Sequence, residues 1–237
     1  MVAASSVDGA LLARNLQAVQ AHIARAMELR RAGQGPVELV AVGKTRPVEA
    51  LLALKAAGVG DFGENRAQEL TAKAGPSMAG VRWHFIGTLQ KNKIRLVVGR
   101  AHLIHSVHEF ELAREIDRRA ERLGIIQPVL IQVNVAGEAA KQGIGPENLE
   151  KLVAETAELR HIKVEGLMTI APSVAEPEEA RPVFAGLRRL YEAVGATRSF
   201  KWLSMGMTDD FEVAIEEGAN LIRVGRALFG PAQKEVR

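Results

Sequence analysis

The feature that most restricts this chain is a strand-then-helix alternation repeated eight times from Val37 onward. Short apolar runs rich in β-forming residues alternate with segments whose apolar residues recur three and four apart. They fall at Val37–Val42 then Thr45–Ala57, Val59–Phe62 then Glu64–Lys73, Arg82–Ile86 then Asn92–Val98, and Leu103–His105 then Glu109–Leu123. The pattern continues at Pro128–Val133 then Glu147–Leu159, Val164–Met168 then Pro177–Val194, Phe200–Ser204 then Asp210–Glu217, and Leu221–Val224 then a short turn from Arg226. Ahead of it, Leu12, Leu16, Val19, Ile23, Ala26 and Leu29 mark one amphipathic helix within residues 8–32, stopped by Gly33 and Gly35.

Alternating strands and helices pair in parallel through right-handed crossovers, and eight such units predict a closed (β/α)8 barrel. The expected fold is therefore a TIM barrel with an additional N-terminal helix, one domain over residues 1–237. An open doubly wound sheet is the alternative, but Gly43-Lys44-Thr45 after the first strand lacks the G-x-G-x-x-G phosphate turn. Aromatic residues make up only 4% of the chain, which also disfavours an all-β sandwich.

Charge and cysteine content exclude other classes. With 31 basic and 28 acidic side chains the net charge is +3, and the basic residues interleave with acids, as in Glu111–Arg122, so they read as solvated helix faces. The one basic stretch, Gln90–Arg95, has no interleaved aromatics, so no nucleic-acid partner is expected. Zero cysteines exclude disulfides, thiolate metal sites and a cysteine nucleophile. Met1–Leu16 offers only Leu11-Leu12 where a signal peptide needs an apolar core, and no run approaches a membrane span. A cytoplasmic protein without membrane contact is expected.

In such a barrel, chemistry collects where strands end. Lys44 follows Leu39-Val40-Ala41-Val42-Gly43 at the end of the first strand, where an amine desolvated in a lined pocket would suit Schiff-base chemistry. Ser204-Met205-Gly206-Met207 and Gly225-Arg226 end the seventh and eighth strands, where small residues let backbone N–H groups approach a phosphate and a short helix offers its positive end. Arg223, always charged, lies inside the apolar strand Leu221–Val224 and needs a partner there. Aldehyde-binding lysine, phosphate loops and a donor for a ring nitrogen together suggest pyridoxal 5′-phosphate. His102, His105 and His108 mimic a metal series, but steps of three on a strand alternate faces, and no metal is expected. His84 faces either the barrel core or the mouth of the site, with core packing the commoner role, and Asn65 reads as a helix cap.

At these residues the sequence resembles the pyridoxal-phosphate homeostasis proteins, relatives of the alanine racemase N-terminal barrel. The resemblance is carried in order by Ala41–Thr45, Phe62–Arg66, Trp83–Gly87 with Leu89-Gln90 and Asn92-Lys93, Gln132–Asn134, Gly166–Met168, Ser204–Thr208 with Asp210, and Arg223–Gly225 to Phe229-Gly230. It implies that Lys44 forms the internal aldimine, Asn65 lies near the cofactor ring, and Ser204 with the backbone around Gly225 holds the phosphate, beside the Gly206 loop. It also implies that Arg223 addresses the pyridine nitrogen. Gly43 stands where serine often precedes the lysine, and Thr208 and Arg226 where smaller hydroxyl residues are frequent. Thr208 keeps a hydroxyl, whereas Arg226 can offer its backbone N–H or added charge.

An arginine on the ring nitrogen leaves the ring a weak electron sink, which suits storage of the cofactor or racemisation rather than aminotransfer. Racemases of this fold take a second acid/base, a tyrosine, from an added domain. The only tyrosine here, Tyr191, falls in the helix before the seventh strand. The expectation is a monomeric carrier of pyridoxal phosphate that helps control its free level, supplies apo-enzymes, and turns over little or no amino acid. A low-efficiency amino-acid racemase is the alternative.

Overall fold

The computed structural model describes residues 7–30, 35–138, 142–195, 198 and 200–231. Eight parallel strands close into a barrel in sequence order, β1 (Glu38–Val42), β2 (Asp61–Glu64), β3 (Arg82–Phe85), β4 (Leu103–Val107), β5 (Gln127–Gln132), β6 (Ile162–Met168), β7 (Trp202–Ser204) and β8 (Leu221–Val224). Closure is made by β8 on β1, with Glu38 opposite Leu221 and Ala41 opposite Val224. The outer layer is α2 (Val48–Ala56), α3 (Ala67–Lys73), α4 (Ile94–Val97), α5 (Phe110–Leu123), α6 (Leu149–Ala157), α7 (Arg181–Gly195), α8 (Phe211–Glu216) and α9 (Arg226–Phe229). No helix among the described residues is long and apolar enough to cross a membrane.

The N-terminal helix α1 (Gly9–Glu28) starts where Asp8 accepts the Leu11 N–H at 3.0 Å. It buries Leu12, Leu16, Val19, Ile23 and Ala26 against α2, α8 and α9. The helix ends at Glu28, before its expected glycine stops; Gly33 lies outside the described residues.

Alternation along each strand splits the core in two. Ala41, Phe62, Ile104, Ile131, Leu167, Leu203 and Ile222 belong to the main core between sheet and helices. Val40, Leu103, Leu130, Met168, Trp202 and Leu221 form a separate apolar cluster on the inward face. Most boundaries differ from the expected ones by a few residues, and two of the differences bear on the site. Strand β4 runs on through Ser106-Val107, and Glu64 ends β2 instead of opening a helix, because its side chain shares the outward face with Phe62 and meets Lys73 of α3. Asn65 caps nothing: Arg66 occupies the N-cap of α3.

Candidate functional site

The expected site residues gather at the C-terminal rim of the barrel. Lys44 sits one residue beyond Gly43, whose N–H donates to Gly63 O at 2.9 Å, so the lysine lies between the ends of β2 and β8. Its side chain is exposed rather than desolvated in a lined pocket, because it rides on the turn past β1 and not on the strand itself. Asn65 follows β2, with Oδ1 buried and without a hydrogen-bond partner. It lines a pocket of about 230 Å³ with Phe85, Thr88, Gln90 and Lys93.

Across the rim, Gly206 has φ +91°, a left-handed conformation that favours glycine, and a Cβ there would come within 2.6 Å of Ala214 Cβ and 2.9 Å of Phe211 Cα. That tight fit onto α8 shapes the loop that follows. Within it the Met207 N–H donates to Asp210 Oδ1 at 2.6 Å, and Thr208 Oγ1 accepts the Gly225 N–H at 3.3 Å. Burial raises the Asp210 carboxyl, with the Met207 N–H and Arg223 acting against it. Arg226 is exposed and paired with Asp209. Both line, with Ile170, Val174, Met207 and Asp210, a mouth cavity of about 680 Å³ that Lys44, Asn65 and Arg223 do not line.

Arg223 is the best-held of these groups. Its Nη1 donates to Ser204 Oγ at 2.5 Å and its Nη2 to Thr169 O at 2.9 Å. A guanidinium has five N–H bonds, so three remain. Burial lowers it to about 10, with Asp210 opposing, so it stays protonated at neutral pH. The expected phosphate contact from the Ser204 side chain meets a different arrangement. Ser204 has no exposed surface, and its hydroxyl is turned into the barrel toward Arg223 and His105 because Ser204 lies at an inward position of β7. The hydroxyl that borders the Gly225 backbone belongs to Thr208.

Beyond Ser204 a polar chain crosses the barrel. His105 Nδ1 meets Ser204 Oγ at 3.1 Å, His105 Nε2 meets His84 Nδ1 at 2.9 Å, and His84 Nε2 meets Asp61 Oδ1 at 3.0 Å. Arg82 closes it at the other end with Nε and Nη2 on Asp61 at 2.7 and 2.6 Å. A carboxylate only accepts, so His84 donates from Nε2 to Asp61. In the tautomer that leaves His84 Nδ1 an acceptor, His105 donates to it from Nε2 and accepts the Ser204 hydroxyl at Nδ1, and the donors from Arg223 to His84 all point toward Asp61. Burial holds the His105 imidazole well below its ordinary range, with the Arg223 charge adding to the effect, in keeping with a neutral ring. Burial alone would raise Asp61, but hydrogen bonds from His84 and Arg82 outweigh it and hold the carboxyl low.

No strand-end or motif signal sets Asp61, His84 and His105 apart. The available signal was parity: polar residues occupy inward positions on five neighbouring or facing strands, at Asp61, His84, His105, Ser204 and Arg223. Of the three histidines that mimic a metal series, only His105 enters this chain.

The alanine racemase N-terminal domain family matches residues 13–233. A curated relative from Aquifex aeolicus (strain VF5), a pyridoxal phosphate homeostasis protein, is 44% identical over 218 residues, covering 91% of this chain and 96% of its own. The chain belongs to the pyridoxal phosphate homeostasis protein family. A solved member with PLP bound, PipY of Synechococcus elongatus, is 33% identical with a TM-score of 0.81 over 92% of this chain and 100% of its own. Alanine racemase from Corynebacterium glutamicum shares the fold, with 16% identity and a TM-score of 0.73; the match covers 95% of this chain and 61% of the racemase. In this family member the rim thus combines an exposed lysine, an asparagine oxygen lacking a partner, a glycine-built loop and a buried arginine.

Proposed function

We propose that this barrel binds pyridoxal 5′-phosphate reversibly through Lys44 Nζ and thereby helps control the free cofactor, with little or no amino-acid turnover. The names of its relatives and the PLP held by PipY support the ligand. The observation that carries the reading here is the donor set at one rim. Buried Arg223 keeps three unspent N–H bonds, a match for a ring nitrogen that must stay an acceptor, and among the described residues no carboxylate hydrogen-bonds to it. Asn65 Oδ1, buried and without a partner, fits a polar group of a ring beside it. The backbone of Gly206–Thr208 and Gly225-Arg226, with the Thr208 hydroxyl in place of Ser204, would hold the phosphate. When bound, the cofactor supplies an aldehyde that condenses with a free amine, releasing one water.

Against racemisation stands the position of Tyr191. Its hydroxyl donates to Phe200 O at 3.0 Å, just before β7 and so at the opposite end of the barrel from Lys44. A carrier can instead release its cofactor to apo-enzymes. The test is borohydride reduction of protein supplied with pyridoxal phosphate, followed by identification of the labelled peptide. Label on Lys44, lost in Lys44→Ala, is the expected result; a colourless, unlabelled protein overturns the reading. Chiral chromatography of amino acids incubated with the loaded protein tests the second half, and sustained interconversion of D and L forms overturns it.

A further inference from the structure

The turn that carries Lys44 is strained and is held from both sides by a buried ion cluster. Thr45, the next residue, has φ +60° and is the one non-glycine residue with positive φ among those described. For a β-branched side chain this left-handed conformation is unfavourable and persists only where the surroundings impose it. The turn is closed by the Arg46 N–H on Gly43 O at 3.0 Å and by Thr45 Oγ1 donating to Lys44 O at 2.6 Å.

The imposing groups come from β2 and α3. Lys73 Nζ donates to Gly43 O at 2.8 Å, to Glu64 Oε1 at 2.8 Å and to Glu69 Oε2 at 3.2 Å. Glu69 Oε2 also accepts the Thr45 N–H at 2.9 Å. Lys73 therefore grips the residue before Lys44 and Glu69 the residue after it. The cluster is largely withdrawn from water, with side-chain exposures of 12% for Lys73, 0% for Glu64 and 21% for Glu69, so its charges are less screened than a surface pair. Gly43 completes the fit: a Cβ there would lie 2.9 Å from Glu64 Oε1 and 3.0 Å from Leu51 Cδ2.

We propose that Glu64, Lys73 and Glu69 are positioning residues for Lys44, clamping its turn in the strained form so that the amine meets the cofactor aldehyde without first being ordered. The proposal rests on Lys44 as the attachment point. In that step the free amine of Lys44 adds to the aldehyde carbon, the C=N bond forms, and one water carries off the aldehyde oxygen. The clamp touches neither reacting atom and acts only through the turn.

The test compares pyridoxal phosphate with pyridoxine 5′-phosphate, which has the same ring and phosphate but an alcohol in place of the aldehyde. The ratio of the two affinities isolates the covalent step. Glu69→Ala removes the acceptor for Thr45 N–H while leaving the Lys73–Glu64 pair, and is expected to lower the ratio roughly tenfold with pyridoxine phosphate affinity unchanged. Glu64→Gln combined with Lys73→Met, which leaves no uncompensated buried charge, is expected to do the same. Adding Thr45→Asn, a residue at ease in the left-handed region, is expected to recover part of the loss, which a general loss of stability would not allow. An unchanged ratio in both clamp variants overturns the proposal, as does an equal fall in both affinities. If wild-type protein takes no borohydride label at Lys44, it is the reading of Lys44 that fails; if it labels and the variants keep the ratio, only the clamp fails.

Discussion

Replacing His105 with leucine tests whether the polar chain is continuous across the barrel. His105 has no exposed surface, and leucine is close to it in volume, so the cost falls on the partners left behind. His84 Nδ1 and the Ser204 hydroxyl each lose a hydrogen-bond partner. Each of the two stranded groups costs about 1–3 kcal/mol, and exchanging imidazole for leucine returns about 1 kcal/mol, so a loss of about 1–5 kcal/mol is expected at pH 8. The urea midpoint at a common slope measures it. Titration supplies an independent check. The folded protein holds His105 well below 6.5, so the unfolded chain takes up a proton that the folded chain refuses. The stability contributed by His105 is therefore present above pH 6.5 and lost as pH falls toward its folded value, by at most about 1.4 kcal/mol per pH unit. Leucine has no such dependence, and the penalty of the substitution should shrink below pH 6.5. A penalty under about 0.5 kcal/mol at pH 8, the size of an ordinary surface change, refutes the reasoning. So does a penalty that stays constant as the solution is acidified.

Glu64→Gln is expected to produce the opposite pH dependence. Burial pushes the Glu64 carboxyl from 4.5 up to about 7, against the pull of Lys73 and with a smaller push from Glu69. Its folded value is raised, so its contribution is present below 4.5 and lost as pH rises through 7; the stability of wild type relative to the glutamine variant should fall across that window, and urea unfolding that shows no such trend counts against it. Gly206→Ala is expected to cost about 1–3 kcal/mol through its clash with Ala214 and Phe211, and to weaken pyridoxal phosphate binding by shifting the Met207-Thr208 backbone. Wild-type urea stability and cofactor titration in that variant would refute it.

The barrel was legible in the sequence because each unit announces itself locally, through β-rich runs, three-and-four spacing and stop signals. Lys44, Arg223 and the two glycine loops were legible for the same reason: they stand at strand ends or interrupt an apolar strand. What stayed hidden depends on contacts between distant segments. Ser204 and Arg223 are 19 residues apart and His105 and Ser204 are 99 apart, so nothing local distinguishes a hydroxyl facing a phosphate from one facing a guanidinium. A glutamate before a helical run fits the first turn, so Glu64 reads as helical, and only the pairing of β2 with β1 and β3 brings it into the sheet.

The strand Asp61–Glu64 joins the two buried devices. Its alternation turns Asp61 inward to anchor the histidines behind Arg223, and turns Glu64 outward to meet Lys73 beside the Lys44 turn. Asn65, directly after it, supplies the oxygen that lacks a partner. The two devices hold their charges differently. Arg223 cannot shift without stranding hydrogen bonds along a fully buried path, so it presents fixed donors to a ligand. Lys44 is gripped only through its backbone neighbours, and its amine stands in water. On the proposed function, a fixed recognition element paired with an exposed point of attachment suits reversible binding: the buried part would select the ring, and the exposed part would let water return to break the bond. A racemase needs the reverse at its lysine, a dry site with a second base opposite, and the one tyrosine of this chain spends its hydroxyl at the far end of the barrel.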